Sequence, residues 1–256
     1  MQRRAGLVLA ALATIALPGC RWLPRAAVVP MPVRREPLSA QTQAPVLAVL
    51  LPGVYSFPHD FVDEGFIAAL RSHRYGVDVW LADSHRGYAA NGTLLERVHD
   101  DVLQPAQRAG YRRIWLVGTS LGGLAALGSL QRHTQMIDGV LALAPYLGEP
   151  ALLQQVAQAG GAQAFAQRAP PAADLIAGLW AWLGSADTAT RSKIHLATGS
   201  QDRFIDAHRL LAALLPADQA LEVPGDHDWA TWRMLWTQWL ARAPWPRVVS
   251  RAVRAP

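Results

Sequence analysis

The stretch IWLVGTSLGG, residues 114–123, joins a short apolar run to the pattern G-x-S-x-G, with Ser120 between Gly118 and Gly122. A short run of apolar residues without alternation is typical of a strand buried on both faces of a parallel sheet. The two glycines indicate a tight strand-to-helix turn, because a side chain at either position would clash with the strand or the helix. Such a turn holds its serine in a strained backbone conformation that presents the hydroxyl. The stretch therefore predicts a serine nucleophile at the carboxyl end of a buried strand.

Five further apolar runs have the same character, and each ends at or near a glycine, proline or aspartate: 46–51, 77–82, 140–144, 194–198 and 221–223. Segments with apolar residues three and four positions apart lie between them and predict helices: 61–74, 94–109, 121–132, 207–215 and 229–241. This alternation predicts a three-layer α/β sandwich with a mostly parallel sheet of about six strands. Ligands of such sheets bind at the carboxyl ends of the strands.

Residues 146–191 separate the fourth and fifth predicted strands by more than a crossover requires. They contain two helical stretches, 151–167 and 172–183, split by two prolines. We interpret the segment as a helical insertion, which either covers the site as a lid or packs on the rim of the sheet. Trp180 and Trp182 in its second helix suit an acyl-chain pocket, but core packing would use the same residues.

A serine hydroxyl needs a base to accept its proton and an acid to orient that base. The fifth apolar run is followed by Asp202 and the sixth by His227. Because parallel strands end at the same edge of a sheet, we expect both side chains to lie beside Ser120. The order along the chain is nucleophile, acid, histidine.

Other candidates for the acid and the base fit less well. Asp206 lies one helical turn past Asp202, where the helix exterior is expected, and Asp226 and Asp228 flank His227, whose ring sequence neighbours rarely face. The remaining histidines lack either the loop after a strand or the chain order: His59, His73, His85, His99, His133, His195 and His208. Of these, His195 falls within a predicted strand and is expected to be a packed residue.

The serine turn and the order of the three residues resemble the α/β-hydrolase family, over about residues 44–243. The resemblance implies that Ser120 is the nucleophile, Asp202 the acid and His227 the base, and that a carboxylic ester is cleaved through an acyl-enzyme, with no metal or cofactor. The family's two N-terminal antiparallel strands are not expected, because the apolar runs start late. Peptidase, thioesterase or acyltransferase activity on the same triad stays open, as does a non-catalytic binding scaffold.

Acyl transfer also requires donors for the developing oxyanion. The backbone amide of Leu121, directly after the nucleophile, is the first candidate. The second is expected in the loop after the first strand, where Val54 follows a Pro-Gly pair and Tyr55 is a candidate for lining the pocket. A simple Pro-Gly turn without this role is the alternative.

The N-terminus resembles a bacterial lipoprotein signal. Arg3 and Arg4 precede an apolar stretch, 5–17, that is too short to span a membrane, and Cys20 follows in the sequence LPGC. Residues 1–19 are then a signal peptide, and lipidation of Cys20 would anchor the protein to a membrane of the bacterial cell envelope, with its domain in the periplasm. An ordinary signal peptide is the alternative. Proline-rich residues 20–43 predict a tether, and residues 244–256 a C-terminal tail.

Composition excludes other classes of protein. With 51% hydrophobic and 17% charged residues among 256, the chain is too apolar for disorder. The net charge of +5 comes from scattered arginines, and no basic helix with interleaved aromatic residues predicts a nucleic-acid partner. The single cysteine excludes an intrachain disulfide and paired-cysteine metal sites. The expected partners are a small-molecule or lipid-like ester and a membrane.

Overall fold

The structure is a computed structural model that describes residues 25–168 and 174–248. Its sheet has seven strands: β1 Val33–Glu36, β2 Val46–Leu51, β3 Val77–Ala82, β4 Ile114–Thr119, β5 Gly139–Leu143, β6 Ile194–Gly199 and β7 Ala220–Val223. The order across the sheet is β1-β3-β2-β4-β5-β6-β7. Strands β2 to β7 are parallel, and β1 is antiparallel to β3. The predicted parallel core of six strands is therefore confirmed, with one antiparallel strand added at its edge.

Helices cover both faces of the sheet. Their bounds are α1 Asp60–Asp63, α2 Phe66–Ser72, α3 Arg86–Ala90, α4 Leu94–Val98, α5 Gln104–Arg108, α6 Leu121–Arg132, α7 Pro150–Gln158, α8 Ala162–Arg168, α9 Leu175–Ser185, α10 Thr188–Arg191, α11 Ile205–Ala212 and α12 Trp229–Leu240. A π-helical turn, His99–Leu103, joins α4 to α5, and a 3-10 turn, Ala217–Gln219, precedes β7. The three layers agree with the predicted sandwich.

Two clusters of buried side chains lie on opposite faces of the sheet. Alternate residues of β2 enter different clusters: Leu47 and Val49 pack with α4, α6 and α9, whereas Val46 and Ala48 pack with α2 and α12. Burial on both faces explains why the sequence of this strand shows no polar alternation.

The predicted tether is partly wrong, because residues 25–43 belong to the domain. Strand β1 pairs with β3 through Val33 opposite Ala82. Met31 is 2% exposed, and the guanidinium carbon of Arg35 lies 4.6 Å from the ring centre of Trp80. The predicted start of the domain at residue 44 is therefore too late.

The carboxylate of Asp78 fastens the connection from β1 to β2. One oxygen accepts the amide of Leu38 at 2.7 Å, and the other accepts the amide of Ala44 at 2.9 Å and the hydroxyl of Tyr111 at 2.6 Å. Asp78 is 2% exposed, so these bonds replace the water that the buried carboxylate has lost.

The described part of the insertion forms α7 to α10, of which α9 packs on α6 and α7 packs on α11. Trp180 of α9 is fully buried in the core, where its indole nitrogen donates to the carbonyl of Leu147 at 2.8 Å. Gln131 of α6 donates to the carbonyl of Gly178, which ties α9 to α6. Core packing therefore accounts for Trp180, and of the two interpretations the described part of the insertion favours rim packing over a lid.

The structure describes part of the C-terminal tail but not the predicted signal peptide. Residues 244–248 of the predicted tail pack on the domain: Trp245 is buried, and the amide of Val248 donates to the carbonyl of Arg74 at 2.7 Å. The predicted signal peptide and Cys20 lie outside the described residues. Within the described ranges, no helix has the length and apolar character needed to cross a membrane.

Candidate active site

Ser120 occupies the turn between β4 and α6 in a strained conformation, with φ 51° and ψ −113°. Its neighbours hold it there. The amide of Ser120 donates to the carbonyl of Leu143 at 3.0 Å, and its carbonyl accepts the amides of Tyr146 at 3.0 Å and Leu124 at 3.1 Å. Backbone strain of this kind persists only where surrounding structure fixes it.

The two flanking glycines are required by close backbone contact. A Cβ atom at Gly118 would collide with the backbone of Gly122, and one at Gly122 would collide with the carbonyl oxygen of Leu51. Gly118 therefore packs against the start of α6, and Gly122 against the end of β2, a neighbour that the sequence did not indicate.

Asp202 and His227 form a buried pair. Nδ1 of His227 lies 2.7 Å from Oδ2 of Asp202, and Oδ1 accepts the amide of Phe204 at 2.8 Å. Burial of Asp202 by itself favours the neutral acid, but the hydrogen bonds from His227 and Phe204 outweigh it and lower the pKa of the carboxyl. An ionised acceptor at Asp202 keeps the proton on Nδ1, which leaves Nε2 of His227 as the basic nitrogen.

The other carboxylates considered for the acid bind different groups or line a different cavity. Oδ1 of Asp226 accepts the backbone amide of His227, while Oδ1 of Asp228 accepts the amide of Thr231 and so caps α12. Asp206 lies in the first turn of α11 and lines a different cavity. Asp202, the predicted acid, is the candidate whose carboxylate faces the ring of His227.

Ser120 and His227 line one cavity of about 790 Å³. Val54 and Leu121 line it too, so the two predicted sources of oxyanion donors lie around the same space as the serine. As the first residue of α6, Leu121 has an amide for which the helix itself supplies no acceptor. Much of the remaining wall is aromatic: Tyr55, Tyr146, Phe204, Trp229 and Trp232.

Two aromatic rings that the sequence analysis did not single out hold the imidazole. The rings of Phe204 and Trp232 stand edge-on to His227, with centroids 5.0 and 5.2 Å away and interplanar angles of 89°. Phe204 follows Asp202 by two residues, and this short spacing is the only feature of the local sequence that indicates its position beside His227. Trp232 is an apolar position of α12 in the sequence, and its contact with the histidine depends on the tertiary fold.

A second cavity, of about 670 Å³, lies between α7 and α11. Arg203 and Phe204 line both cavities, so the loop after Asp202 forms the wall between them. The ring of Phe204 also packs edge-on against Tyr146, 5.4 Å away. Neither Trp180 nor Trp182 lines either of these two cavities.

His208 is a buried histidine near the pair, and sequence reasoning set it aside. Its Nδ1 lies 2.6 Å from the hydroxyl of Thr198, and Nε2 lies 2.9 Å from the carbonyl of Pro145. Burial lowers the pKa of His208, although the charge of Asp202 opposes this, and the neutral ring links the ends of β5 and β6.

One group of described residues has the donors to hold a metal ion: His59, Asp60 and Asp63, whose ligand atoms lie within 4.8 Å of one another. It is formed by α1 and the residue before it, and none of the three lines the cavity that contains Ser120.

The sheet order, the serine turn and the layers define the α/β-hydrolase fold. No family model matches the chain, and no curated protein matches it. Solved structures do match the chain. A ferulic acid esterase is 15% identical, with a TM-score of 0.55 over 79% of this chain and 85% of the other.

Two further solved structures come from Staphylococcus aureus. The S-formylglutathione hydrolase FrmB is 14% identical, with a TM-score of 0.53 and 82% of each chain covered. The fluorophosphonate-binding serine hydrolase FphF is 15% identical, with a TM-score of 0.53 over 83% of this chain and 91% of the other. At these identities the likeness shows a shared fold.

Proposed function

We propose that the protein is a serine hydrolase that cleaves a carboxylic ester through an acyl-enzyme. The observation that carries the proposal is the convergence, around one cavity, of a strained serine and a histidine paired to a buried carboxylate. The three residues belong to the loops after β4, β6 and β7, and a binding scaffold has no need of all three groups.

In the proposed reaction, Nε2 of His227 takes the proton of the Ser120 hydroxyl as its oxygen attacks the ester carbonyl. Asp202 holds the ring and stabilises the imidazolium. The tetrahedral intermediate then collapses, the C–O bond to the alcohol breaks, and the alcohol leaves with the proton from His227. A water molecule repeats the sequence on the acyl-serine and releases the carboxylic acid.

The amides of Leu121 and Val54 are the proposed donors to the oxyanion. The proposal for Leu121 is supported by its position at the start of α6, and that for Val54 by its place in the cavity wall. Gly53 supports a short distance between the loop and the nucleophile, since a Cβ atom there would lie 3.3 Å from Cβ of Ser120.

Thioester, amide and acyl-transfer chemistry use the same intermediate, so the triad alone does not separate them. The solved structures of the same fold are named for both an esterase and a hydrolase of S-formylglutathione. A panel of esters, thioesters and anilides with the same acyl group distinguishes these reactions, and we expect the oxygen esters to give the highest kcat/KM.

We further propose that Cys20 is lipidated and anchors the protein to a membrane of the bacterial cell envelope, with the domain in the periplasm. The support is the sequence around Cys20. Metabolic labelling with a fatty-acid analogue tests this proposal. The wild-type protein should take up the label and sediment with membranes, and Cys20→Ser should do neither.

A fluorophosphonate probe tests the enzymatic class directly, because it reacts with activated serine hydroxyls. We expect stoichiometric labelling at Ser120, identified by peptide mass spectrometry, and no labelling of Ser120→Ala. A folded wild-type protein that stays unlabelled would favour the binding-scaffold alternative.

A further inference from the structure

The first described residue, Arg25, lies beside the mouth of the candidate active site. Its guanidinium forms two hydrogen bonds of 2.8 Å with the carboxylate of Asp83, directly after β3, and one of 3.4 Å with the carbonyl of Ser56. Ser56 lines the same cavity as Ser120. The guanidinium carbon also lies 4.3 Å from the ring centre of Phe57.

The segment that follows Arg25 is fixed to the domain. The hydroxyl of Tyr88 donates to the carbonyl of Val28 at 2.7 Å and accepts its amide at 3.2 Å. The amide of Met31 donates to the carboxylate of Asp101 at 2.8 Å. A Cβ atom at Gly87 would collide with the carbonyl oxygen of Arg25, which shows how closely the segment approaches α3. Arg25 therefore has a defined position relative to the cavity.

This position limits the distance between the cavity and the lipid anchor. Only residues 21–24 separate Cys20 from Arg25. An extended chain covers at most about 3.6 Å per residue, so Arg25 lies within about 18 Å of Cys20. This limit is shorter than the hydrocarbon core of a bilayer, which is about 30 Å thick. Lipidation of Cys20 would therefore keep Arg25 close to the membrane surface.

Exposed apolar side chains lie near this attachment point. Val28 and Val29 are 55% and 69% exposed, and Tyr55, at the wall of the cavity, is 43% exposed. Arg86, also at the cavity wall, adds an exposed guanidinium. Apolar side chains with a basic residue at the edge are the composition of a surface that lies in the lipid–water interface.

From these observations we infer that this face, formed by Val28, Val29, Tyr55 and Arg86, rests on the membrane that carries the Cys20 lipid, so that the cavity of Ser120 opens onto the bilayer. The substrate is then an ester whose acyl chain resides in the lipid phase. The inference rests on the proposed hydrolase activity and on the proposed lipidation. The short connection keeps Arg25 close to the membrane surface, and the exposed apolar side chains favour the orientation in which the cavity mouth faces the lipid.

Spin labels measure this orientation without reference to catalysis. The lipidated protein is reconstituted in vesicles of phosphatidylethanolamine and phosphatidylglycerol, with a nitroxide attached at Val29→Cys or at Arg112→Cys. Arg112 is exposed near the start of β4, at the opposite end of that strand from Ser120.

We expect the label at position 29 to collide more often with oxygen than with a water-soluble nickel chelate, and the label at position 112 to show the reverse. Two equally aqueous labels on a protein that incorporates the fatty-acid analogue would overturn the orientation. Absence of the fatty-acid analogue would overturn the anchor and the orientation together, while hydrolysis of a soluble ester would still stand.

A kinetic experiment tests the consequence for substrate access. The measured quantity is the rate with p-nitrophenyl palmitate in the vesicles divided by the rate with p-nitrophenyl acetate in solution. Val28→Asp combined with Val29→Asp should lower this ratio at least about fivefold, because buried charge opposes contact with lipid. Met234→Asp, which alters an exposed apolar residue of α12, serves as the control and should keep the wild-type ratio. An unchanged ratio in the double variant would contradict the inference.

Discussion

Nδ1 of His227 and Oδ2 of Asp202 lie 2.7 Å apart although the two residues are 25 positions apart in the chain. The two residues belong to the loops after β7 and β6, and neighbouring parallel strands deliver them to the same edge of the sheet. The parallel sheet therefore brings the two side chains together. Conservative substitutions in these loops test the role of the pair without removing an element of the fold.

Replacing Ser120 by alanine should abolish hydrolysis and leave the fold intact, because only the nucleophilic oxygen is removed. We expect kcat for p-nitrophenyl acetate to fall by about 10⁴-fold or more. Ser129→Ala is a matched control on α6. Its hydroxyl is buried and has no hydrogen-bond partner among the described residues, so its loss should leave turnover within about twofold of wild type. Comparable turnover in both variants would refute the assignment of Ser120.

Asp202→Asn should preserve the shape of the site but remove the carboxylate that keeps the proton on Nδ1 of His227. We expect kcat to fall by about 10³- to 10⁴-fold, as in other triads that carry this change. Asp206→Asn, in the first turn of α11, should stay within about threefold of wild type. Pre-steady-state measurement of alcohol release then shows whether acylation is the impaired step, and an active Asp202→Asn enzyme would contradict the proposed role of the acid.

Acid should destabilise the protein through His195. Burial against Trp115 and Trp239, together with the charge of Arg242, lowers the pKa of His195 to about 4. The unfolded chain binds a proton near pH 6.5, whereas the native state excludes it until about pH 4, so stability falls as pH falls between these values.

Between pH 7 and pH 5, His195 should account for a loss of about 2 kcal/mol in the free energy of unfolding. Urea unfolding of wild type and His195→Gln at both pH values measures this contribution. The variant should lose less stability on acidification than wild type, by about that amount. Equal losses in the two proteins would show that the native state accepts the proton at His195.

A shortened chain that begins at Gln41 should lose stability, whereas one that begins at Arg25 should keep it. The shorter chain lacks β1 and exposes the edge of β3, and it also removes the buried side chain of Met31. Burial of such a side chain contributes about 2 kcal/mol, and the lost strand pairing adds to it, so we expect Tm to fall by about 10 °C. Thermal unfolding followed by circular dichroism compares the two chains, and equal Tm values would show that residues 25–40 contribute nothing to the fold.

The sequence was sufficient to predict those elements whose signal is local. Strands β2 and β3 begin and end at the predicted residues, because burial on both faces produces an unbroken apolar run. The serine turn and the loops after β6 and β7 were predictable for a related reason, since each follows such a strand directly. Sequence order then selected Asp202 and His227.

Strand β1 could not be recognised from its sequence, VRRE. It is an edge strand with a half-exposed pattern, three of its four residues are charged, and prolines precede and follow it. Its stability comes from β3, which is distant along the chain. Helical periodicity likewise missed the left-handed Gly65, φ 77°, which separates α1 from α2. The contact of His208 with Pro145 spans 63 residues, so no local pattern could indicate it.

The wall between the two cavities couples the shape of the substrate space to the candidate triad. Arg203 and Phe204 line both cavities, so a smaller residue at position 204 would thin the partition between the one at Ser120 and the one between α7 and α11. The same ring packs against His227, and the amide of residue 204 donates to Asp202. Under the proposed function, a substitution at position 204 would therefore change the shape of the cavity and the packing of the imidazole together, because one ring contributes to both.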